Sequence, residues 1–146
     1  MEMETRRNSI KRRLKSYTSL ARERKQIEEQ LARVEATMTA PKAQVLDGMP
    51  KGSGGEDFMT RLVAKHIELG EKYQEKLSNL ADAMLDIENL IEGLEPTERR
   101  LARYRYIDGM TWEEVCVAMS YSWRQIHRLH GRMLDKLVEA ETIPQF

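Results

Sequence analysis

The sequence predicts an all-α fold in which two long helices precede a cluster of short ones. Three observations carry this. Large apolar residues return every three or four positions through two extended stretches, and a composition that is 33% charged and only 6% aromatic suits long solvated helices. The C-terminal third holds two helix-start signatures close together.

In the first stretch the apolar stripe runs through Ile10, Leu14, Tyr17, Leu20, Ile27, Leu31, Val34 and Met38, interrupted at Arg24. Alternating steps of three and four keep these positions on one face of a helix, so a long helix is expected over residues 1–39. A second stripe, Met59, Leu62, Leu69, Tyr73, Leu77, Leu80, Met84, Ile87 and Ile91, predicts a second long helix over 57–93. Between them lies TAPKAQVLDGMPKGSGGED, where Pro41 and Pro50 lack a backbone donor and Gly48, Gly52, Gly54 and Gly55 weaken any helix. This predicts a Gly/Pro-rich loop over 40–56.

A loop of that length lets the second helix fold back on the first as a long antiparallel, coiled-coil-like hairpin. The alternative is a homodimer in which each long helix pairs with a second protomer. Charge favours the hairpin. Residues 5–25 carry nine Lys/Arg against one acid, Glu23, whereas residues 56–95 hold ten acids against four bases. His66 falls on the second stripe and reads as a seam residue rather than a ligand, since its neighbours in sequence offer no metal partners.

A C-terminal domain is expected over 94–146. Gly93 ends the second long helix, Pro96 suits the first turn of the next, and Asp108-Gly109 closes it. Thr111 with Glu114, and Ser122 with Gln125, then form two capping boxes. They leave room for one short helix, Trp112 to Met119, a tight corner at Ser120-Tyr121, and a second helix. That is the spacing of a helix-turn-helix, whose second helix enters the DNA major groove. Cys116, the sole cysteine, rules out an internal disulfide and reads as a compact residue where the two helices cross.

At about 100° per residue, Ile126, Leu129, Met133 and Leu137 share one arc and form the buried face of the second helix. Arg124, Arg128 and Gly131 lie opposite, flanked by Gln125, His127 and Arg132, with Lys136 continuing the four-residue series. Arginine pairs bidentately with guanine and glutamine with adenine, so Arg124, Gln125 and Arg128 are the candidate base contacts. Gln125 has a competing role, because a side chain folded into a capping box is not free to reach a base. Arg132 and Lys136 are candidate phosphate contacts, with Thr111, Ser120 and Ser122 near the helix starts. Tyr121, Trp123 and His127 either touch DNA or close the core. Gly131, costing about 1 kcal/mol in mid-helix, suggests the close approach of something bulky.

The basic segment TRRNSIKRRLKSY either reaches flanking phosphates or pairs with the acidic second helix. No Gly-rich phosphate loop, nucleophile-base pair or metal-ligand cluster stands out, so neither an enzyme nor a metal or other cofactor is expected. The first residues are charged and no window approaches 18 apolar residues, so neither secretion nor a membrane span is expected.

The stretch LEPTERRLARYRYIDGMTWEEVCVAMSYSWRQIHRLHGRMLDKL resembles region 4 of sigma-70-type factors, ungapped from Glu98 to Leu137. Ser120 stands where that family usually has a turn glycine, and Val117 and Ala118 replace polar surface residues. The whole arrangement is similar to small phage-encoded transcription regulators of the ArpU/RinA kind. The resemblance implies a helix-turn-helix domain of sigma region 4 type in a cytoplasmic protein of the bacterial host cell. It further implies binding to double-stranded DNA at a promoter or operator, and a contact with host RNA polymerase for which Val117 and Ala118 are candidates. Nothing resembles sigma region 2, so a complete sigma factor is not implied. Two other readings stay open: a small-terminase-like packaging component that assembles through its long helices, and a helical adaptor of RNA polymerase that binds no DNA.

Overall fold

The computed structural model describes residues 1–40 and 54–142, and over these residues the protein is helical without strands. Helices α1 (Glu2–Met38) and α2 (Gly54–Ile91) are long. Helix α3 (Pro96–Ala102) continues into a π-helical segment, Arg103–Ile107, and is followed by α4 (Trp112–Met119) and α5 (Trp123–Thr142). Among the described residues no helix is long and apolar enough to cross a membrane. Of the loop predicted over 40–56, residues 41–53 lie outside the described residues, and α2 begins at Gly54, before the predicted start.

The chain divides into two compact units, one of Met1–Leu20 with Leu80–Phe146, the other of Ala21–Asn79. In the second unit Leu69 is the one fully buried apolar side chain among the described residues. Ile27, Leu31, Val34 and Tyr73 are half-buried, whereas Met59 and Leu77, expected in the seam, are more than a third exposed, as are Val63 and Ile67. Two helices alone have no third layer to cover the shoulders of their stripes. Lys76 reaches Glu23 at 2.7 Å and His66 reaches Glu35 at 3.1 Å. The later residue of α1 thus meets the earlier residue of α2, and His66 lies on the seam with a carboxylate partner.

The first unit holds the core. Ile87 and Ile91 come from the end of α2, and Leu101 and Tyr106 from α3 and the π segment. Val115 and Met119 come from α4, and Ile126, Leu129, Met133 and Leu137 from α5. Ile10 and Leu14 of α1 are fully buried in the same cluster. The C-terminal domain read from residue 94 therefore shares its core with the start of α1 and the end of α2. Helix α5 also buries Leu134 and Val138, beyond the four-residue arc expected, because it is packed on more than one side.

Polar contacts close the same unit. Arg13 forks onto Asp86 through Nη2 at 2.6 Å and Nε at 3.2 Å, and also pairs with Glu141. Glu98 is only 2% exposed, yet its carboxylate accepts from Lys136 Nζ at 2.7 Å and from the Glu95 amide at 3.3 Å, tying the start of α3 to α5. A buried carboxylate needs such partners, because desolvating it unpaired is costly.

The placement of Ile10 yields a direct test. Ile10→Ala should lower the stability of the unit by about 2–4 kcal/mol, as expected for deleting a fully buried aliphatic side chain. Urea denaturation followed by circular dichroism measures this, and a loss under about 0.5 kcal/mol would show that α1 is an undocked arm.

Candidate nucleic-acid interface

Helix α4 starts where Thr111, in extended conformation, accepts the Glu114 amide on its hydroxyl at 3.2 Å. The Glu114 carboxylate accepts the Thr111 hydroxyl, also at 3.2 Å, rather than the Thr111 amide, so only half of the expected box is made. The helix ends on Ser120, whose backbone is left-handed at φ 57 and ψ 40. The Tyr121 amide closes the turn onto the Cys116 carbonyl at 3.0 Å. This conformation costs an L-residue roughly 1–2 kcal/mol and is where glycine is at ease.

Helix α5 then opens with a complete capping box. The Gln125 amide donates to Ser122 Oγ at 3.2 Å, and the Ser122 amide donates to Gln125 Oε1 at 2.9 Å. Bidentate adenine recognition needs both the oxygen and the nitrogen of a glutamine side chain, so in this conformation Gln125 caps and does not read.

Arg124, Arg128 and Arg132 stand exposed at four-residue intervals, none with an ion-pair or hydrogen-bond partner among the described residues. The fourth member of the series differs. Lys136 is held by buried Glu98, and that hydrogen bond raises its pKa above the ordinary lysine value. Thr111 and Ser122 have their hydroxyls engaged in caps, and Ser120 lies exposed on the corner between the two helices.

Gly131 corrects one expectation. It is half-buried, its carbonyl accepts Arg7 Nη2 from α1 at 3.1 Å, and a Cβ there would sit 3.4 Å from the same nitrogen. The bulky neighbour is the protein's own N-terminal helix. Arg7 Nε also lies 3.2 Å from Asp135 Oδ1, an ion pair not aligned as a hydrogen bond, so the acid that interrupts the basic face has its own cation.

The aromatic candidates separate. Trp123 is 52% exposed and Tyr121 is exposed beside it, while His127 is half-buried between the rings of Trp123 at 4.4 Å and Trp112 at 4.9 Å. His127 therefore packs. Cys116 lies half-buried against the core.

Two residues on the π segment escaped the sequence reading, because apolar spacing gives no sign of a π turn. Arg105 lies over the Trp112 ring at 4.6 Å and donates to the Met110 carbonyl at 2.8 Å. Tyr106 places its hydroxyl 2.5 Å from His130 Nε2. Burial lowers the pKa of His130 to about 4, with the positive charges of Lys11, Arg105 and Arg7 adding to it, and burial raises that of Tyr106 to about 12. Tyr106 thus keeps its proton and donates it to neutral His130, whose ring hydrogen then sits on Nδ1.

Two stability outcomes follow. Ser120→Gly should raise stability by about 1 kcal/mol through relief of the left-handed backbone, read as a higher urea midpoint. His130 contributes stability while it is neutral, in full above its unfolded pKa of about 6.5, and that contribution is lost as pH falls toward about 4. A loss of about 2–3 kcal/mol is expected over that window, and His130→Phe should remove that part of the pH dependence in parallel urea titrations. Compared with protein families, curated proteins and solved structures, the chain matches none.

Proposed function

We propose that this protein is a sequence-specific DNA-binding regulator of phage or prophage transcription, built as an antiparallel two-helix hairpin followed by a helix-turn-helix domain of sigma region 4 type. The observation that carries the reading is the row of Arg124, Arg128 and Arg132, exposed and without a partner among the described residues, on a helix whose start is fixed by a complete capping box. A guanidinium left free on a rigid helix matches guanine edges and phosphates without first breaking an internal ion pair. Arg124 and Arg128, nearest the start of α5, are the base readers and Arg132 a phosphate contact, while Tyr121 and Trp123 offer exposed rings at the groove. Val117, 81% exposed, and exposed Ala118 offer an apolar contact for host RNA polymerase.

A second reading has its own support. The exposed row of Met59, Val63, Ile67 and Leu77 favours assembly through the long helices, as a homodimer or as the larger ring of a packaging component. Light scattering separates these, since a ring of many subunits favours packaging and a monomer or dimer favours regulation.

Selection on random duplex DNA should enrich one sequence. Arg124→Ala and Arg128→Ala should each weaken its binding by about 1–3 kcal/mol and relax one base position, whereas Arg132→Ala weakens all duplexes alike. Failure to enrich any sequence would end the regulatory reading, and polymerase binding that survives both base-reader variants without DNA affinity would favour the adaptor.

A further inference from the structure

Beside the arginine row, a cavity of about 240 Å³ is lined by Lys11 and Lys15 of α1, Arg105 of the π segment, Trp112 of α4, and His127 and His130 of α5. Among the described residues its fixed charges are all positive and no carboxylate lines it, in a chain whose acids and bases are equal in number. Of the neighbouring cations on α1, Arg6 is engaged by Glu2, Arg7 by Asp135 and Arg13 by Asp86, while exposed Arg12 does not line the cavity. The ammonium groups of Lys11 and Lys15, one turn apart, have no carboxylate or hydrogen-bond partner among the described residues. Arg105 is oriented by the Met110 carbonyl and the Trp112 ring, and the buried Nε2 of His127 has no hydrogen-bond partner among the described residues.

We infer that this cavity is a phosphate site, and that it takes a backbone phosphodiester of the duplex whose groove α5 enters; the inference rests on the DNA-binding reading above. The angular position argues for a backbone phosphate over a free anion. His127 lies about 60° around α5 from the line of Arg124, at 100° per residue, with half-exposed Trp123 one turn before it. A helix in the major groove has a phosphate strand along each side, so a cationic recess offset from the reading face meets one of them. Lysine suits that role, being a flexible point charge that binds phosphate without demanding a base. Burial is the main cause of the depressed pKa of His130, and the positive charges of Lys11, Arg105 and Arg7 add to it.

The test uses the full chain. Lys11→Ala/Lys15→Ala should weaken binding to the selected duplex and to bulk duplex alike, roughly 5- to 20-fold at about 100 mM salt, and make the slope of log K against log salt shallower by about 1 to 2, with base preference unchanged. The charge-keeping pair Lys11→Arg/Lys15→Arg should retain the slope. If the alanine pair impairs folding by circular dichroism, Lys15→Ala alone, at an exposed position, should lower the slope by about 1. An unchanged slope with the selected sequence still bound overturns the phosphate site and leaves the regulator reading standing. A lysine-dependent slope on bulk duplex with no sequence ever enriched supports the site and removes the regulator reading. Trp112 indole shifts in nuclear magnetic resonance with inorganic phosphate but not with duplex would overturn the backbone assignment in favour of a free anion, and absence of any duplex binding overturns both.

Discussion

The docking of the first turns of α1 against α5 is the contact on which the core-bearing unit depends. Ile10 and Leu14 enter the cluster that α3, α4 and α5 build, and Arg7 fastens the outside of the same contact at Gly131 and Asp135. Without α1, Leu134 and Val138 would be apolar residues in excess of a single buried stripe. The same docking narrows what α5 can offer a partner, since it occupies Gly131 and Asp135 and leaves Arg124, Arg128 and Arg132 open. Shape and charge are thus set by one packing decision, made largely of non-directional apolar burial and then oriented by a guanidinium.

Much of the all-helical character was legible because helix periodicity and capping are local signals. Thr111 and Ser122 mark where α4 and α5 begin, and the residues between them leave little freedom for the corner. The identity of the neighbour at Gly131 was not legible, because it depends on a helix distant in sequence. The π turn was equally hidden. It alters the hydrogen-bond step without altering the apolar spacing, and it carries Arg105 and Tyr106 to Trp112 and His130. Lys136 shows the limit of reading a face from angles alone: its four-residue spacing groups it with the arginines, while buried Glu98 claims its ammonium.

Gln125 ties the geometry of the α5 start to the proposed DNA recognition. Its side-chain oxygen satisfies the Ser122 amide at the start of α5, so any base contact using that oxygen must first expose an uncapped amide. The net gain from such a contact is therefore smaller than for an arginine without an internal partner, which is why the proposed interface assigns base reading to Arg124 and Arg128.

The two ends of this core lie far apart along the chain. Ile10 is made early and Val138 late, yet both belong to one apolar cluster. During synthesis Ile10 and Leu14 lack their α5 partners until α5 has emerged, and the loop closed at that moment spans most of the sequence. Basic side chains flank both residues in the sequence, and charges beside an uncovered apolar stripe oppose association, so Lys11 and Lys15 are placed to discourage it before they line a cavity.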